Sequence, residues 1–67
     1  MCDMKVSHQA QIIRAAKFLR KQINEGNRTI LTYMADELER IVAEGDEENF
    51  EHAYWHALLI ERYRHEK

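Results

Sequence analysis

Apolar positions in this chain recur at intervals of three and four residues in three separate stretches, the spacing of amphipathic helices rather than strands. In the first stretch Ile12, Ala16, Leu19 and Ile23 form a narrow stripe flanked by Ile13 and Ala15, with Arg14, Lys17 and Lys21 on the far side. In the second, Ile30, Leu31, Met34, Leu38, Ile41 and Val42 share one face. Its outer face carries Asp36, Glu39 and Arg40, and Asp36 and Arg40 have the i, i+4 spacing of an ion pair. No alternating β-branched run and no Asn-Gly or Asp-Gly hairpin turn is present.

The third stretch, Phe50 to Tyr63, holds four of the six aromatic residues, including the single Trp. Wound as a helix it is apolar on two sides. Phe50, Ala53, Tyr54, Ala57, Leu58 and Ile60 make one stripe, and Trp55, Leu59 and Tyr63 make a second on roughly the opposite side. A helix apolar on both sides is normally covered on both sides. A chain of 67 residues has little material for the second cover, so another chain is the expected one. Phe18 lies off the first helix's main stripe and is a candidate companion for that surface.

Stop and start signals divide the three stretches. Ser7 suits the N-cap of the first helix, and Gly26 suits its left-handed stop. Asn27 or Thr29 suits the second N-cap, Gly45 the second stop and Asp46 the third N-cap. Glu47 and Glu48 then fall in a first turn and Arg62, Arg64, His65 and Lys67 near a last turn, as the helix dipole favours. The expected fold is all-α: a single domain of residues 1–67, built as a helical hairpin plus a third helix and dimerising into a larger helical bundle. The helices are expected at about 7–25, 29–44 and 47–65, with residues 1–5 frayed. An alternative absorbs Gly45 and Asp46 into one long helix, at a cost of about 1 kcal/mol for the glycine, giving a hairpin that dimerises into a four-helix bundle.

Composition narrows the class. Hydrophobic residues make up 45% and charged residues 33%, and no stretch is long and apolar enough to span a membrane. The opening MCDMKVSHQ lacks the apolar run of a secretory signal, and the lone Cys2 cannot form an intramolecular disulfide. A cytoplasmic protein of bacterial or phage style is expected. The net charge of −2 divides unevenly: residues 1–34 carry six Lys/Arg against two acids, and residues 35–67 carry ten acids against four Lys/Arg. A basic first helix lying beside acidic neighbours accounts for this.

Candidate chemistry is sparse. His52 and His56 have the i, i+4 spacing that can ligate a metal, with Glu48 one turn earlier. The zinc-protease signature, however, needs Glu directly after the first His, where this chain has Ala53. No phosphate-binding glycine loop, nucleophile elbow or Ser-His-Asp order is present, so neither enzyme activity nor a cofactor is expected. The expectation is a small interaction or regulatory module, homodimeric through Phe18, Trp55, Leu59 and Tyr63 with His52 and His56 alongside, and with a protein partner of unstated identity. The alternative is a nucleic-acid-binding protein that uses Arg14, Lys17, Arg20, Lys21 and Arg28 on and beside the first helix.

Overall fold

Helices α1 (Val6–Lys21), α2 (Arg28–Glu44) and α3 (Glu47–Glu66) follow one another in a computed structural model that describes residues 5–66, with the backbone alone for Glu66. Among the described residues there is no strand, and no helix is long and apolar enough to cross a membrane. The expected fraying of residues 1–5 lies, apart from Lys5, outside the described residues, as does Cys2.

The α2–α3 boundary forms as its residues predict. Gly45 adopts the left-handed conformation (φ 66°, ψ 39°). Its N–H donates to the Val42 carbonyl at 3.2 Å and the Asp46 N–H donates to the Ile41 carbonyl at 3.0 Å. Two otherwise orphaned helix-end acceptors are thereby satisfied. The Asp46 carboxylate accepts from the Asn49 backbone N–H at 3.3 Å and from Asn49 Nδ2 at 2.9 Å. The side-chain bond from Asn49 holds the Asp46 carboxyl below its ordinary range. The long continuous helix therefore does not form.

The end of α1 departs from expectation. The helix stops at Lys21 rather than near residue 25, and Gly26 has no positive φ. Two asparagines replace the glycine stop. Asn24 Oδ1 accepts from the Gly26 and Asn27 N–H groups at 2.8 and 3.1 Å, and Asn27 Oδ1 accepts from the Asn24 N–H at 2.7 Å. Asn27 Nδ2 donates back to the Gln22 carbonyl at 3.1 Å. Asn27 does occupy the α2 N-cap position, but its side chain is spent on this clasp and makes no capping bond. At the other end of α1 the N-cap is Lys5, again without a side-chain bond, and Ser7 lies inside the first turn.

α1 packs along both neighbours, whereas α2 and α3 meet much less. The result is flattened, measuring 41 × 24 × 14 Å. The core consists of Ile12, Ala15, Ala16 and Leu19 from α1, Ala35, Leu38 and Ile41 from α2, and Phe50, Ala53, Ala57 and Ile60 from α3. Five of these eleven are alanines, and among the described residues Ile12 is the one large side chain that is fully enclosed. The first stripe of α3 thus faces inward as its spacing predicts, with Tyr54 and Leu58 half-buried. On α2 the inward face is rotated from expectation: Ala35 is enclosed and Ile30 is exposed. His8, one turn before Ile12, stacks on Tyr54 with ring centroids 4.0 Å apart and ties the start of α1 to α3.

The ion pair expected between Asp36 and Arg40 does not form, and Asp36 pairs with α1 instead. Arg20 Nη2 meets Asp36 Oδ1 at 2.6 Å and Glu39 Oε1 at 2.7 Å, while Arg20 Nε reaches Glu39 Oε2 at 3.3 Å, bracing α1 against α2. Arg40 turns instead to Glu37, to Glu44 at 3.0 Å and toward Asp46 at 3.9 Å.

These two ends predict opposite glycine phenotypes. Gly45→Ala should destabilise the fold by about 1 kcal/mol, because an L side chain resists the left-handed conformation. At Gly26 an added Cβ meets only Asn24 Oδ1, at 3.4 Å. Gly26→Ala should therefore change stability by less than about 0.5 kcal/mol, and urea titrations of the two variants check the contrast.

Candidate interaction surface

On the outer side of α3 Trp55, Leu59 and Tyr63 are 59%, 62% and 57% exposed, so the single chain does not bury its second apolar stripe. α2 adds to the same surface. Tyr33 and Ile30 are 68% and 63% exposed, more than most large apolar side chains of a folded domain. Tyr33 is a participant that the stripe pattern did not single out, although its place three residues after Ile30 put it at the border of the α2 apolar face.

The weak contact between α2 and α3 leaves grooves along this surface. One, of about 480 Å³, has Phe18, Leu31, Leu59 and Tyr63 among its walls and Leu19 and Ile60 at its base. Gln22 and the clasp residues Asn24 and Asn27 also line it. The other runs between Tyr33, Met34 and Glu37 on α2 and Asn49, His52 and Ala53 on α3. His56, half-buried, lines both and makes them neighbours, while His52 is exposed at the edge of the second. Of the six residues expected at an interface, Phe18, His56, Leu59 and Tyr63 line the first groove and His52 and His56 the second, while Trp55 stands exposed on the outer side of α3. The first groove has room for a large aromatic side chain. Among the described residues no group of three or more His, Cys, Asp or Glu could hold a metal ion.

The basic residues are dispersed. Arg20 is held by Asp36 and Glu39, and Arg28 lines a shallow depression with Thr29, Thr32, Tyr33 and Asp36. Arg14, Lys17 and Lys21 do share a small hollow with Phe18. Into it α3 brings Arg64 and Glu61, a cation and an anion that a reading of α1 alone could not supply. Glu61 is the centre of this end of the molecule. Arg64 Nη2 and His65 Nε2 lie 2.6 and 2.7 Å from its Oε2, Arg14 approaches to 4.0 Å, and Gln11 Nε2 donates to Oε1 at 3.5 Å. It therefore links the last turns of α3 to α1.

No protein-family model, curated protein or solved structure matches this chain. A functional reading therefore starts from the surface geometry.

The charges around Glu61 give a pH dependence with a defined sign. The hydrogen-bonded Arg64, joined by His65, draws the Glu61 carboxyl down from 4.5 to about 2, against the opposing effect of burial. A carboxyl with a lower pKa folded than unfolded adds stability above its unfolded pKa and loses that contribution as the pH falls through the folded one. Glu61→Gln should thus lower the urea midpoint at pH 6. The gap to the parent protein should narrow as the pH falls from 4.5 toward 2, and a gap independent of pH would remove this role for Glu61.

Proposed function

We propose that this chain is a small, non-enzymatic interaction module with a regulatory role, homodimeric through the outer face of α3. The observation that carries the reading is the inverted placement of its side chains: alanines fill much of the interior while Trp55, Leu59, Tyr63, Tyr33 and Ile30 stand outside. Fully burying one large apolar side chain contributes about 2 kcal/mol, so covering several is a substantial drive to associate. A stable interface takes about 800 Å² from each partner, roughly a sixth of the 4990 Å² surface. A face 20 residues long on α3, widened by Tyr33 and Ile30, is suited to supply it. The setting that fits is the cytoplasm of a bacterium or of a phage-infected cell, with a further protein as the regulated target.

A second reading, nucleic-acid binding, is favoured by the convergence of Arg14, Lys17 and Lys21 with Arg64 around Phe18. Cations contacting phosphates release counterions, so such binding weakens steeply with salt. About three phosphate contacts would lower affinity roughly 40-fold between 50 and 200 mM salt. Titration with generic duplex and single-stranded oligonucleotides checks this, and no binding in low salt removes the reading.

Sedimentation equilibrium at micromolar concentration should give twice the 8.1 kDa chain mass. Leu59→Glu should raise the dimer dissociation constant at least about 30-fold and Trp55→Ala by a comparable factor, as central interface residues do. Thermal stability should fall with both, since association stabilises the folded state. A monomeric parent protein overturns the proposal, as does a dimer indifferent to both substitutions.

A further inference from the structure

Two concavities beside the second half of α1 have opposite characters and share one wall. No Asp, Glu, Lys or Arg lines the groove of about 480 Å³, and Leu19, Leu31, Leu59 and Ile60 make it largely aliphatic. The smaller hollow is lined by Arg14, Lys17, Lys21 and Arg64, with Glu61 as its one acid. Phe18 is a wall of both, so the width of one ring separates the apolar socket from the cations.

Glu61 does not balance those cations. Its carboxylate is already held by Arg64 at 2.6 Å and His65 at 2.7 Å, and the Arg14 side chain, 4.0 Å away, is 62% exposed. Lys17 and Lys21 are exposed and have no acidic partner among the described residues. Arg14, Lys17 and Lys21 fall within about 60° of one another around α1 and span about 10 Å along it. Like charges at this spacing repel, so an anion brought to the face relieves them.

We infer that groove and hollow together form one docking site for an acidic segment of a partner protein. One large apolar side chain of the segment fills the groove, and its Asp or Glu residues lie over Lys17 and Lys21. The unpaired cations call for the acids, and the uncharged groove calls for the anchor. About three residues of extended chain cover the 10 Å of the cationic face, so anchor and acids are close together in the partner's sequence. A nucleic acid would use the cations and leave the aliphatic groove empty. Leu59 belongs both to this groove and to the self-association face, so the segment and a second copy compete for it. The inference rests on the reading of the chain as an interaction module with a protein target, and it names the chemistry of that target.

A displayed library of random linear peptides, selected on the full chain in low salt, tests it. The recovered peptides are synthesised and titrated by fluorescence anisotropy. They should share one aromatic or branched apolar residue with Asp or Glu within about three positions. Combining Lys17→Glu with Lys21→Glu should weaken their binding roughly 5- to 30-fold, the effect of two exposed ion pairs turned into repulsions. Replacing the peptides' acids by lysines should then restore binding to that variant, a recovery that a misfolded chain could not show. Leu59→Ser should weaken the original peptides about 10-fold while leaving the salt dependence in place. Peptides that lack acids, or that bind the Lys17 and Lys21 variant as tightly as the parent chain, overturn the site and leave the module reading intact. A selection that recovers no peptide overturns both. A single-stranded oligonucleotide that outcompetes the peptides assigns the hollow to nucleic acid, and a dimer dissociated by the Lys17 and Lys21 variant assigns it to a second copy. Either result overturns the inference. A parent chain that sediments as a monomer yet binds these peptides upholds it and removes only the self-association.

Discussion

How closely α1 approaches its two neighbours governs everything else in the molecule, and alanine sets that approach. Ala15 and Ala16 on α1, Ala35 on α2, and Ala53 and Ala57 on α3 are all enclosed. Small side chains at the contact let helix axes come close, but they remove little apolar area from water. Most of the apolar burial falls to Ile12, Leu19, Leu38, Ile41, Phe50 and Ile60. For a chain of 67 residues that is a thin interior, near the limit at which a domain folds without metal, disulfide or partner. The same economy explains the flattened shape: α2 and α3 are each anchored to α1 and barely to each other, so the side chains between them line grooves instead of a core.

Charge does for the periphery what alanine does for the interior. The excess of bases early in the chain and of acids later reads as one helix lying beside acidic neighbours, and Arg20 between Asp36 and Glu39 is that arrangement in the structure. Glu61 reverses the polarity on the other side, a single carboxylate on α3 facing Arg14 as well as its own Arg64 and His65. The two braces grip α1 from opposite neighbours. The arginines of both braces reach into solvent while Glu61 is half-buried, so the Arg20 pairs mainly orient α1 against α2 and the Glu61 cluster also adds to stability.

What could be read in advance and what could not follows from the range over which each signal acts. The Gly45-Asp46 boundary depends on contacts within five residues, all of them encoded locally by a glycine, an aspartate and the acids that follow. The inward stripe of α3 was equally legible, because of its two apolar sides the one through Phe50, Ala53, Ala57 and Ile60 is the longer and more continuous. The end of α1 was not: Gly26 offered the expected stop, but Asn24 and Asn27 satisfy each other's backbone first and close the helix earlier. Such reciprocal side-chain bonding leaves no periodic trace. The Asp36 partner was misread for a related reason, since spacing within α2 suggested Arg40 while the packing of α1 delivers Arg20. His8, Tyr33 and Arg64 gain their roles only through neighbours that tertiary packing supplies, although the place of His8 one turn ahead of Ile12 was a usable clue.

The position of Trp55 also makes the protein its own optical instrument. It is the chain's single tryptophan, it lies largely in water on the outer face, and its nearest ring neighbour is Tyr54, with centroids 6.2 Å apart. Unfolding an isolated chain would change the polarity around that indole only modestly, because it is wet in both states. Covering α3 would change it greatly. Indole emission therefore reports whether the face is occupied, while far-ultraviolet circular dichroism reports whether the helices are formed. Assembly and folding, coupled thermodynamically in so small a protein, are in this one separable by wavelength.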